Sequence, residues 1–379
     1  MTPSAPPPPG AGNLALVQVL RGVAAVAVVA HHAIRATTVK AEGEITPPAL
    51  LNYPYLYDAL AFGVDLFFVI SGFIMVYVST PYISGKQPIS GFILKRVARI
   101  YPLYIIVLAL LLMIIFIQSF LSNTNNFDLS YWRIISSALL IPSYNSDGFV
   151  QPILGVGWTL SYEIYFYIIF AVSITVFRGR FLPALSIGIA LICLLASFSG
   201  LANNAAIDFL ANPIALEFVM GCWVGHAVKR GLTTTIPIIT SATSVIIIFA
   251  APALLNNEEL RVIYWGVPCA AITLSFVSIN LNNFKLKPYR WLLLIGNASY
   301  SIYLIHILII GIIGSRLAVN ADRIFSSSYA TTLAVFITII LSIAGGMILH
   351  LLVEKPIGER LTSWIKSYER RHLAMAHSK

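Results

Sequence analysis

LALVQVLRGVAAVAVVAHHA, residues Leu14 to Ala33, sets an arginine and two histidines inside a run of twenty otherwise mostly apolar residues. About twenty such residues cross the roughly 30 Å hydrocarbon core of a bilayer as one helix. An ionisable side chain placed there costs about 2.5–3.5 kcal/mol on insertion scales, so each one needs a use or a partner. At about 100° of turn per residue Arg21 and His32 fall on one face, while His31 lies roughly 80° away from it. A rise of about 1.5 Å per residue separates Arg21 from His32 by ~16 Å along the axis. One face therefore carries a permanent cation near one end and a titratable base near the other.

Working outward, the 379 residues are 58% hydrophobic and 10% charged, and the apolar residues come in long blocks. That composition belongs to an integral membrane protein. Blocks of about twenty, without the period-two alternation of roughly ten-residue strands, argue against a closed barrel. The fold expected is all-α and polytopic, with about ten transmembrane helices over 14–34, 58–79, 101–120, 153–177, 181–199, 208–228, 233–253, 262–282, 292–316 and 329–353. Ile134 to Ile141, bounded by Pro142, is too short to cross and is expected to be re-entrant or interfacial. Residues 1–12, MTPSAPPPPGAG, are expected to form a disordered tail. The membrane domain covers 13–355, and a basic tail covers 356–379.

Lysines and arginines set the orientation. With the N-terminus inside, eighteen of the 24 fall on the inner side, among them Lys95, Arg96, Arg99, Arg178 and Arg180, and six fall outside, among them Arg133 and Arg261. Both termini are then cytoplasmic. The net charge of +9 sits at helix ends and forms no patch with interleaved aromatics, so nucleic acid is not an expected partner. Cys193, Cys222 and Cys269 lack metal-ligand spacing, and no metal is expected.

Two acids lie within apolar blocks in the outer half of the membrane. Asp65 is in FGVDLFFVISGF from Phe62, and Glu163 is in WTLSYEIYFY from Trp158, with Tyr162, Tyr165 and Tyr167 nearby. His32 approaches the same level, and a buried acid beside a buried imidazole fixes its tautomer and stabilises its protonated form. The other reading is that each acid bonds a neighbouring tyrosine, serine or backbone group. In KRVARIYPLY, from Lys95, Arg96 and Arg99 face the same way on a helix. Lys95, Arg96 and Arg99 are either a positive-inside anchor or, together with Arg21, an anion clamp, since the planar guanidinium suits phosphate. Glu217 in LEFVMG lies near mid-depth with no role assigned. His306 in LIGNASYSIYLIH is either a second polar wall of a cavity or a satisfied core histidine. There is no Gly-rich phosphate loop and no GxSxG elbow.

Together with VEKPI from Val353, these pieces follow one another in an order that resembles the membrane-bound acyltransferase 3 family, whose O-acetyltransferases modify bacterial surface polysaccharides. The arginine and histidine separated by ten residues, combined with the RxxR pair, carry the resemblance. It implies that His32 is the catalytic base and that Arg21, Arg96 and Arg99 serve the donor site; on the reading of the residues above, Asp65 or Glu163 would orient His32 and Lys95 would add a further cation at the donor site. The chain departs in having His31 at a position usually aromatic or apolar, and TLSYEIY where SLSVEEQ is commoner. It is similar to the stand-alone members without a fused SGNH domain. The expected activity is acyl transfer, with acetyl-CoA as cytoplasmic donor, to a hydroxyl of an exported or cell-surface polysaccharide or its lipid-linked precursor. The expected setting is the bacterial inner membrane, alongside polysaccharide synthesis or export machinery. The rivals are a transporter or flippase for an anionic or lipid-linked sugar, and succinyl transfer on the same fold.

Overall fold

In the computed structural model, residues 11–41, 45–122, 129–201, 203–254, 260–279 and 290–377 are described. Among them the chain winds into seventeen α-helices and no strand, apart from an isolated bridge between Tyr144 and Val150. The first are α1 (Ala11–Ala41), α2 (Pro54–Ala59), α3 (Phe62–Val78), α4 (Thr80–Ile83), α5 (Ile89–Ser122) and α6 (Tyr131–Leu139). Next come α7 (Trp158–Val176), α8 (Phe181–Ser197), α9 (Ala205–Ala211), α10 (Leu216–Lys229), α11 (Pro237–Leu254) and α12 (Val267–Ser278). The last are α13 (Arg290–Asn297), α14 (Ser299–Ile309), α15 (Ser315–Phe325), α16 (Ser328–Leu349) and α17 (Lys355–His377). Of the tail expected over 1–12, residues 1–10 lie outside the described residues, and Ala11 and Gly12 open α1.

Helices are what a bilayer demands, because every backbone N–H and C=O must be satisfied within the segment. Seven stretches are long and apolar enough to cross: Ala15–Thr37, Pro54–Val78, Ile89–Leu121, Gly155–Val176, Arg178–Ser197, Ser299–Phe325 and Ser328–Arg371. The stretch expected at 208–228 is broken into Ala205–Ala211 and Pro213–Lys229, bent by 49°, and makes an eighth only if the pair counts as one. The break has a local cause. Pro213 has no N–H to continue the helix, and the Asn212 side chain instead caps the next turn by accepting from the Ile214 N–H at 3.0 Å. The stretches expected at 233–253 and 262–282 form the shorter apolar helices Pro237–Ala253 and Val262–Ser278. Length and apolarity thus give seven or eight spans among the described residues.

The chain divides into two compact units, Met1–Val76 with Glu217–Leu351 and Tyr77–Leu216 with Leu352–Lys379. In the first, α1 packs against α12, α13, α14 and α16. Small side chains let the backbones approach: Ala25 and Val29 of α1 meet Ala298 and Ile302 in one buried cluster. The approach of α3 to α10 is closer still. A methyl group at Gly72 would overlap the Phe218 carbonyl, and one at Gly221 would overlap the Val69 carbonyl, while Phe68 stacks on Phe218 with ring centres 4.4 Å apart. In the second unit α5 packs against α7 and α17, and α7 against α8. Phe92, Phe170 and Phe181 form a ladder with ring centres 5.7 Å apart at each step. The segment expected as a C-terminal tail is therefore a helix, α17, with a packing partner in its own unit.

Because neither Gly72 nor Gly221 has room for a Cβ, Gly221→Ala is expected to cost at least about 1–3 kcal/mol, the usual range for overpacking. A lowered melting temperature of the detergent-solubilised protein reads this directly. Gly188→Ala, where a Cβ meets nothing within 4 Å, is the control and should not lower it.

Candidate active site

In the first unit, α1 presents Arg21 and His32 as its spacing dictates. Arg21 donates from Nη1 to Gln18 Oε1 at 3.2 Å, one turn earlier. His31, on the other face, donates from Nδ1 to the Tyr57 carbonyl at 3.0 Å. His32 is partly exposed and makes no hydrogen bond among the described residues. Its ring lies 5.2 Å from that of His31, edge-on, and 5.3 Å from that of His306 on α14, tilted by 37°. His306 is fully buried. Its Nδ1 donates to the Ile302 carbonyl at 3.3 Å, and its Nε2 has no partner among the described residues.

Asp65 does not take the place expected beside His32. Fully buried on α3, it receives Arg261 Nε at Oδ1, 2.9 Å, and Arg261 Nη2 at Oδ2, 2.8 Å. This is a two-pronged pairing that only the planar guanidinium fork can make. Arg261 stands just before a π-helical turn, Val262–Gly266, and its guanidinium lies over the Trp265 ring at 4.7 Å. Glu217 is also fully buried, and neither of its carboxyl oxygens has a hydrogen-bond partner among the described residues. Read from the sequence, Arg261 is only an outer-loop cation. The one signal of its role is that Asp65, placed in the outer third of its span, lacks a basic partner nearby in sequence.

The second unit sorts the cations of α5. Lys95 Nζ donates to the Tyr82 hydroxyl at 2.8 Å and to Glu369 Oε2 at 2.9 Å, and the Tyr82 hydroxyl donates to Glu369 Oε1 at 2.8 Å. Burial raises the Tyr82 phenol above its ordinary value, so it keeps the proton it donates. Arg99 Nη1 pairs with Glu354 Oε1 at 2.8 Å. Arg96, between them, has no acidic partner among the described residues. Its guanidinium lies 5.8 Å from the Phe92 ring centre and 5.7 Å from that of Tyr167, and its buried Nε lacks an acceptor. Glu163 accepts a hydrogen bond from the Tyr167 hydroxyl, one turn along α7. Of the two readings open for Glu163, this is the local one.

A cation held between aromatic faces with its N–H groups uncommitted is suited to an anionic oxygen. An imidazole with neither nitrogen committed is suited to proton transfer. Among the described residues no group of three or more His, Cys, Asp or Glu side chains is placed to hold a metal ion.

A family described as "Acyltransferase domain" matches residues 15–351. The chain is similar to the exopolysaccharide production protein ExoZ of Rhizobium meliloti, 29% identical over 67% of this chain and 77% of that one. It is similar to the O-acetyltransferase OatA of Staphylococcus aureus, 24% identical over 67% of this chain but only 46% of that one. The acyltransferase MdmB of Streptomyces mycarofaciens is 25% identical over 78% of this chain and 80% of its own length. No solved structure matches the chain.

Removing one member of a buried ion pair leaves the other uncompensated, so Asp65→Asn is expected to destabilise the protein by about 3–5 kcal/mol. Thermal unfolding in detergent measures it. The double variant Asp65→Leu with Arg261→Met, which removes both charges, should recover much of the loss, and an Asp65 that served only catalysis would give no such recovery.

Proposed function

Because this chain belongs to the acyltransferase family whose domain covers residues 15–351, and is thus a multi-pass membrane acyltransferase, we propose that it is an O-acetyltransferase of the bacterial inner membrane. The acceptor is a hydroxyl of an exported or cell-surface polysaccharide or its lipid-linked precursor, and the donor is cytoplasmic acetyl-CoA. The names of two relatives, one an exopolysaccharide production protein and one an O-acetyltransferase, support this substrate class.

The observation that carries the reading is the state of His32. An imidazole in a membrane helix is costly, and this one is partly exposed, has no hydrogen bond among the described residues, and shares its helix face with Arg21. In the proposed step His32 takes the proton of the acceptor hydroxyl as the oxygen attacks the thioester carbon. The C–S bond breaks, and the imidazolium returns the proton to the departing CoA sulfur, so the products are the acetyl ester and CoA thiol. Arg21, Arg96, Arg99 and Lys95 supply positive charge for the donor's phosphates. Arg96 contributes most directly, because Lys95 and Arg99 already face Glu369 and Glu354. The ~16 Å between Arg21 and His32 along α1 is comparable to an extended pantetheine arm.

His32→Ala is expected to lower acetyl transfer by about 10²–10⁴-fold, measured as labelled acetyl incorporated into the polysaccharide fraction by membranes holding equal amounts of protein. Full acetylation by that variant would overturn the reading. Arg96→Ala, which loses a charge-assisted contact of roughly 1.5–3 kcal/mol, should raise the KM for acetyl-CoA about 10- to 100-fold while changing kcat little. An unchanged KM would return Arg96 to the anchor role.

A further inference from the structure

A base that works from within a packed helix bundle needs a second group to hold its ring and choose its tautomer. Asp65 is not available for this, since Arg261 takes both of its oxygens. His31 is committed through Nδ1 to the Tyr57 carbonyl and meets the His32 ring edge-on. The geometry points to His306 as the positioning residue for His32, an inference that rests on the reading of His32 as the base.

Three features of His306 support it. Its Nδ1 donates to the Ile302 carbonyl, which fixes the neutral tautomer and leaves the lone pair on Nε2. That Nε2 is fully buried and unpartnered among the described residues. A buried polar atom without a partner is costly and calls for an explanation. The third feature is the neighbour. The His32 ring centre is 5.3 Å away, and His32 has no hydrogen-bond partner among the described residues.

The two imidazoles are therefore layered, with His306 behind and His32 reachable in front. In the proposed arrangement the rings, 5.3 Å apart at their centres, turn so that one His32 N–H donates to His306 Nε2. The other His32 nitrogen then keeps the lone pair that receives the hydroxyl proton. Catalytic hydrogen bonds are commonly long in the absence of substrate and tighten when it binds, which fits rings that are adjacent but not yet bonded. His306 touches no reacting atom in this scheme. It acts through His32.

The test uses the full-length protein in inverted membrane vesicles supplied with labelled acetyl-CoA, with label counted in the polysaccharide fraction. His306→Leu is expected to lower kcat about 100-fold while the KM for acetyl-CoA stays within about twofold. His306→Gln, whose amide oxygen still accepts a hydrogen bond, should recover a large part of that loss. Because residues that act as a unit are non-additive, His32→Ala combined with His306→Leu should be no slower than His32→Ala alone. The inference is overturned if His306→Leu keeps full kcat, if kcat and KM deteriorate together, if Gln is as poor as Leu, or if the two losses multiply. His32→Ala separates the levels. If it is inactive while the His306 variants are normal, only the pairing fails, and if it is fully active, the reading of His32 fails with it.

Discussion

A charge buried among apolar helices must find its counter-charge inside the protein. In this chain the demand is met most completely by Asp65 and Arg261. Two parallel hydrogen bonds, at 2.9 and 2.8 Å, join a fully buried carboxylate to a guanidinium that also covers the Trp265 ring. The pair ties α3 to the start of the helical run Val262–Ser278 within the first unit. The close backbone contact of α3 with α10 at Gly72 and Gly221 brings Glu217 beside it. α3 is thus held on two sides, by the ion pair to Arg261 and by the close backbone contact with α10.

With Asp65 committed, the histidines of the same unit stand out. His31 and His306 each spend one nitrogen on a backbone carbonyl, whereas His32 spends neither among the described residues. That difference separates two rings fixed by the backbone from one whose nitrogens bond nothing among the described residues. It also explains why adjacent histidines of identical intrinsic chemistry are not equivalent. One step along a helix turns the side chain by about 100°, from the Tyr57 carbonyl toward His306.

In the second unit the same demand sorts the basic residues of α5. The basic C-terminal segment, folded as α17, returns Glu369 to Lys95, and Glu354 at the end of a π-helical turn reaches Arg99. Arg96 is left between two aromatic rings with no acid beside it among the described residues.

The class of the protein, the helical nature of its segments, and the shared face of Arg21 and His32 were all legible in the residues. Each follows from local quantities: apolar run length, the number of residues per helical turn, and the cost of charge in lipid. The break at Asn212–Pro213 was also locally encoded, although apolarity alone read through it. The partners of the ionisable groups were not legible. Asp65 and Arg261 stand 196 residues apart, Arg99 and Glu354 255, and Lys95 and Glu369 274, and no pattern along one helix specifies which face of a distant helix it will meet. Glu163 shows the contrast, since its partner Tyr167 is one turn away and a neighbouring tyrosine was among its readable options. Spacing along the chain therefore determined which side chains share a face, and only the packing of helices distant in sequence decided which ionisable groups meet an opposite charge.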